Sequence, residues 1–231
     1  MVPPDPIKPK RRGGCFSKLI YLVLLVSALN LSLAVVGIVQ PQDLSDLRAE
    51  LVKPLPEREM KAVIKSAIDR SFALSLSQAE LNQWLGRTLV AKQGGALATI
   101  FPLKRVWLRL EEGRVEVILE RNFLGRSFTT SMYLQVERME DAKGALTELR
   151  FHGGPYHPDF PKVMRGGRFG NVVVPQGFLL LILPSFEKLA AAFPEELKLG
   201  FGEMARIKIE KGKLTLDPRE TLGNEGMPQS F

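Results

Sequence analysis

Cysteine is nearly absent. Cys15 is the single one in 231 residues, which excludes an intrachain disulfide framework and any cysteine-based zinc cluster. There are two histidines, His152 and His157, too few for a three-histidine metal site within one chain. No Gly-x-Ser-x-Gly elbow, phosphate loop or dinucleotide fingerprint occurs. The paired acids Glu111-Glu112 and Glu195-Glu196 are sequence neighbours. Neighbours on a strand point to opposite faces, so these pairs do not form the facing carboxylates of a glycosidase. The sequence therefore names no reaction, and we expect no enzyme and no cofactor.

Charge is also absent from residues 19–39, Leu19 to Val39. Twenty-one helical residues rise about 30 Å, the thickness of one hydrocarbon core. Ser27, Asn30 and Ser32 are its polar exceptions. The preceding residues, 1–18, hold Lys8, Lys10, Arg11, Arg12 and Lys18 against Asp5, so they carry +4 of the total +7. Basic residues favour the cytoplasmic side. The expected arrangement is a basic cytoplasmic tail at 1–18, a single transmembrane helix at 19–39 in the lipid bilayer of the cell membrane, and an extracytoplasmic remainder. A rival reading is a signal peptide cut after Ala34, with Ser32 at −3; the apolar residues Val35, Val36, Ile38 and Val39 speak against it.

The remaining +3 is spread over 27 basic and 24 acidic side chains. That is too mild and too dispersed for nucleic-acid binding, which needs clustered cations against phosphates. Arg165-Gly166-Gly167-Arg168-Phe169-Gly170 has the form of an RGG box, but a lone copy reads as a glycine-rich turn.

Prolines 41, 54 and 56 punctuate residues 40–57, expected as a stalk with a helical turn near Leu44–Val52. The domain proper is expected at 58–218, with a polar tail at 219–231. Within it, Met60, Val63, Ile64, Ala67 and Ile68 recur at helical spacing, and Phe72, Leu74 and Leu76 alternate as in a strand. Ser77-Gln78-Ala79-Glu80 has the form of a capping box opening a helix over Leu81, Trp84 and Leu85. Lys104–Leu110, Arg114–Glu120, Ser127–Glu137 and Leu146–Phe151 alternate apolar and polar residues, the pattern of an antiparallel meander with one wet face. Asn171–Val174 is strand-like, Phe178–Phe193 reads as an apolar helix interrupted by Pro184, and Ala205–Glu210 with Lys213–Asp217 forms a hairpin. The fold class is α+β: an N-terminal transmembrane helix, then an antiparallel β-meander sheet packed with two or three helices.

The order of these elements, with Leu81-Asn82, Val172-Val173-Val174-Pro175, Leu183-Pro184-Ser185-Phe186 and the hairpin from Ile207 to Leu216, resembles the YpmS-like family of bacterial membrane-anchored proteins. The likeness is densest over residues 171–217. It implies an anchored extracytoplasmic α+β domain and carries over no catalytic residue.

Three functional readings follow. The first is a non-enzymatic binding or scaffolding domain of the cell envelope, with an envelope lipid or protein as partner. The second is a lipid or hydrophobic-ligand binder whose groove is lined by Phe178, Leu179, Ile182, Leu183 and Phe186. Burial on every side is the simpler account of so uniformly apolar a run. The third is an envelope hydrolase using His152, His157 and Asp159, whose spacing on a Gly/Pro-rich loop fits no strong zinc motif.

Overall fold

The computed structural model describes residues 14–52, 55–92, 102–123, 125–141, 144–151 and 165–219. It begins with helix α1 (Gly14–Val39). Its apolar run, Phe16–Val39, is long and apolar enough to cross a membrane, and none of it is buried against the described remainder. Two of the polar exceptions turn back on the helix itself. Asn30 Nδ2 donates to the Val26 carbonyl at 2.8 Å, and Ser32 Oγ donates to the Ala28 carbonyl at 2.8 Å. Such back-bonding satisfies these groups without water.

The domain that follows is α+β, as expected. After α2 (Ser45–Glu50) and α3 (Met60–Asp69) comes β1 (Leu74–Ser77), which runs directly into α4 (Gln78–Lys92). The capping box forms: the Ser77 amide donates to Glu80 Oε2 at 2.9 Å, and the Glu80 amide donates to Ser77 Oγ at 3.2 Å. Strands β2 (Leu103–Glu111), β3 (Arg114–Phe123), β4 (Arg126–Asp141), β5 (Gly144–Phe151), β6 (Arg165–Phe169) and β7 (Val172–Pro175) form one antiparallel sheet. Its order is β2-β3-β4-β6-β7, with β5 also paired to β4. A second sheet, β1-β9-β8, contains the hairpin β8 (Arg206–Glu210) and β9 (Lys213–Asp217). The Arg165–Gly170 stretch is therefore a strand followed by a turn.

Strand alternation sorts the large sheet into two faces. On one, Val106, Val117, Leu119 and Met132 bury against Leu85 and Leu89 of α4 and against Phe186 of α5 (Leu183–Ala191). Around the small sheet, Met60, Ile64 and Ala67 of α3 pack with Leu74, Leu76, Ile209 and Leu216.

The other face differs from the expectation of a wet surface. Thr129, Ser131 and Tyr133 point there, and all three are buried. Residues 40–51, expected as part of a stalk, lie across it: Leu44 and Leu47 pack on Trp107 and Ile118. Alternation reports which residues share a face. It does not report what another segment lays over that face.

The β2 end of the sheet is covered by α4. Asn82 Nδ2 donates to the Leu108 carbonyl at 2.8 Å, and the Leu108 amide donates to Asn82 Oδ1 at 2.6 Å. One turn earlier, Gln78 Oε1 accepts the Leu110 amide at 2.7 Å. Two helix side chains thus occupy backbone groups that an uncovered edge would offer to another strand. Asn82 is fully buried. Asn82→Ala should cost about 1–3 kcal/mol, because both Leu108 groups lose their partner away from water. Chemical denaturation of the purified chain measures this.

Candidate functional site

The covered face holds two buried carboxylates. Glu116 and Glu120 lie four residues apart on β3, on the same side, and as residues are 0% and 1% exposed. Buried carboxylates are costly unless paired and hydrogen-bonded, and both are. Glu116 Oε1 accepts from Gln42 Nε2 at 2.9 Å and Ser131 Oγ at 2.7 Å, and Oε2 accepts from the Arg109 guanidinium at 2.9 Å. Arg168 stands 3.9 Å away. Glu120 Oε1 accepts from Lys104 Nζ at 2.9 Å, Arg48 at 3.0 Å and Ser127 Oγ at 3.1 Å, and Oε2 accepts the Trp107 indole N–H at 2.9 Å. The Arg105 guanidinium sits 4.2 Å above the Trp107 ring.

These bonds tie residues 40–51 to the sheet. Gln42 is held twice: its side chain on Glu116, and its amide, which donates to Thr129 Oγ1 at 2.8 Å. Arg109 grips Asp46 with two nitrogens at 3.1 Å and the Asp43 carbonyl at 3.1 Å, while a third nitrogen holds Glu116. Such forked pairing adds geometric specificity. Arg48 reaches Glu120 from α2, and Glu50 accepts Gln78 Nε2 at 2.9 Å. Burial works against the Arg109 charge, but Asp46 and Glu116 more than offset it and raise its pKa.

The end of α1 is fastened as well. The Asn171 amide donates to the Gly37 carbonyl at 3.0 Å, and the Gly170 amide donates to the Thr129 carbonyl at 2.8 Å. Gly170 has φ +55°, and a Cβ there would run into the carbonyl oxygens of Gly37, Ile38 and Gln40. Only glycine meets both conditions. The arrangement is a joint between an apolar helix and a sheet, built from a buried charge network.

Glu120 carries a pH signature. Burial pushes its pKa up, but the Lys104 ammonium, the Trp107 N–H and Arg48 outweigh that and hold it below the ordinary 4.5. Its contribution to stability is complete above the unfolded-state value and lost as pH falls through the lower folded-state value. We therefore expect the stability gap between the wild type and Glu120→Gln to be constant near neutrality and to shrink between about pH 5 and 3. Unfolding midpoints at stepped pH measure it.

The residues expected to line a hydrophobic groove are divided. Leu179 and Phe186 lie in the core beneath the sheet, and Ile182 and Leu183 are half-buried against it. Phe178 points outward, 52% exposed, with Leu180 and Leu181 at 72% and 73%. Burial on every side therefore fails for this run. The reason is local. Instead of one helix there is a 3-10 helix, Gln176–Leu181, followed by α5 with Pro184 in its first turn. Proline lacks an amide hydrogen and suits a helix start better than its middle. At three residues per turn, Leu179 and Ile182 share one side while Phe178 and Leu181 share another.

His152, His157 and Asp159 lie outside the described residues. Among the described residues, no group of three or more histidine, cysteine, aspartate or glutamate side chains could hold a metal ion. The joint was only partly legible in the sequence, where Arg109 pairs naturally with Glu116. A fuller signal was available: Leu44 and Leu47 sit one helical turn apart in a charged segment, and Trp107 is a large aromatic on a polar strand face that needs cover. No family model matches the sequence, and no curated protein matches it.

Proposed function

We propose that this protein is a single-pass membrane protein of the cell envelope, with its N-terminus cytoplasmic and its α+β domain outside, acting without catalysis as a rigidly mounted binding or scaffolding module. The observation that carries this reading is α1. None of its 24-residue apolar run is buried by the rest of the described chain, which it meets only near its end at Gly37, and its polar side chains Asn30 and Ser32 bond within the helix. A helix apolar all round and unburied by its own fold needs an apolar solvent. The basic residues before it support the orientation, and the resemblance to YpmS-like proteins supports the same anchored architecture.

The buried carboxylates fit a structural part. Each is occupied by cations and hydrogen-bond donors, which leaves no carboxylate oxygen turned to an open site. Mounting through a fixed joint suits a domain that must present one surface at a set height and angle to an envelope partner.

Orientation is tested by fusing reporters after Asp217. An enzyme active only outside the cytoplasm should be active there. Activity of a cytoplasm-only reporter alone at that position would reverse the topology. The scaffolding role is tested by native mass spectrometry of the full chain extracted from its host membrane in nanodiscs. A stoichiometric protein or envelope-polymer partner is expected. Turnover of an envelope substrate by the isolated chain would refute it.

A further inference from the structure

Residues 169–186 contain no charged side chain. They comprise the β6–β7 turn, strand β7 at the end of the sheet, and the 3-10 helix. Val173, Phe178, Leu180 and Leu181 from this stretch are exposed large hydrophobics, and the remainder of that class within the described residues lies in α1 save for Val52 and Phe72. Exposed apolar side chains gathered in one segment mark a contact surface. The same segment is bonded to the membrane helix: Asn171 to Gly37, two residues inside the end of the apolar run. That contact puts the β6–β7 turn at the boundary of hydrocarbon and headgroups.

The distance from turn to patch is short. Leu179 lies over Gly167, and Gly167 pairs with Val174. At about 3.3 Å per strand residue, the 3-10 helix sits roughly 10 Å from the turn at Gly170. The apolar run of α1 is about 36 Å long as a helix, against a hydrocarbon core of about 30 Å. A run longer than the core tilts. Because the joint fixes the domain to α1, tilting toward β7 lowers the 3-10 helix onto the headgroups.

We propose that Phe178, Leu180 and Leu181 insert into the outer leaflet of the bilayer that α1 spans, forming a second membrane contact that sets the tilt of the helix and the pose of the domain. This rests on the reading of α1 as a membrane span. The 3-10 geometry explains the division of labour: Leu179 and Ile182 hold the segment to the core while Phe178 and Leu181 face away from it.

The test uses the full chain with Cys15→Ser, reconstituted in vesicles of phosphatidylcholine and phosphatidylglycerol. Single cysteines replace Leu180, Leu29 in α1, or Lys211 in the β8–β9 turn, and each carries a polarity-sensitive fluorophore. Lipids bearing a quencher near the headgroup or deep in the chain are then added. The expected result is loss of emission at position 180 with the shallow quencher, loss at 29 with the deep one, and none at 211. Quenching at 29 with position 180 behaving like 211 overturns the second contact while the span stands. No quenching at 29 overturns the span, and the second contact with it. All three replaced side chains are exposed, so the fold tolerates the labels, and circular dichroism of each labelled chain verifies it.

Discussion

Glu116→Ala should destabilise the domain by about 3–5 kcal/mol, the range for breaking a buried ion pair by removing one partner. The carboxylate is wholly buried. Its loss strands Ser131 Oγ and Gln42 Nε2 without their acceptor and leaves the Arg109 guanidinium with Asp46 and the Asp43 carbonyl. Gln42 is the residue of the joint closest in sequence to α1 that is held by side chain and backbone together, so the effect should extend to the joint. Urea unfolding of the chain in nanodiscs reads the stability. Limited proteolysis within residues 40–52 should accelerate in the same variant. Glu116→Gln keeps an acceptor for Ser131 but not the charge for Arg109, and it should fall between the two.

Gly170→Val should cost about 2–5 kcal/mol through two separable effects. A left-handed backbone costs an L-residue roughly 1–2 kcal/mol, and forcing atoms into packed space adds about 1–3 kcal/mol. At Gly170 both apply, since φ is +55° and a Cβ would meet the carbonyls of Gly37, Ile38 and Gln40. Gly212 is the control. Its φ is +74°, and a Cβ there meets nothing within 4 Å. Gly212→Val should carry the backbone strain alone. If the pair of variants is equally destabilised in urea unfolding, Gly170 is not pressed against the end of α1.

The sequence was most informative where one segment decides its own structure. The capping box at Ser77 and Glu80 needs four residues and their backbone, and it forms. The α1 helix follows from an uninterrupted apolar run. The meander follows from period-two alternation, and the pairing of Arg109 with Glu116 follows from adjacent strands in register. Legibility failed where a distant segment decides. Glu116 and Glu120 look like residues of a wet face until Leu44 and Leu47 are laid over Trp107 and Ile118. Nothing local in Glu120 announces that Arg48, 72 residues away, completes its shell. The Phe178–Leu183 run failed for a different reason. Its composition permits any helical period, and Pro184 selects a 3-10 turn before α5 in place of a continuous helix. That choice turns Leu180 and Leu181 outward.

The pose of the domain depends on residues 40–51 being a rigid joint and not a flexible stalk. Pulsed electron-spin distance measurement tests it most directly, on the full chain in nanodiscs with Cys15→Ser and spin labels at Leu33→Cys in α1 and Lys211→Cys in the domain. A rigid joint gives a single narrow distance distribution that broadens when Glu116→Ala and Glu120→Ala are combined. A broad distribution in the chain with both carboxylates intact would contradict it.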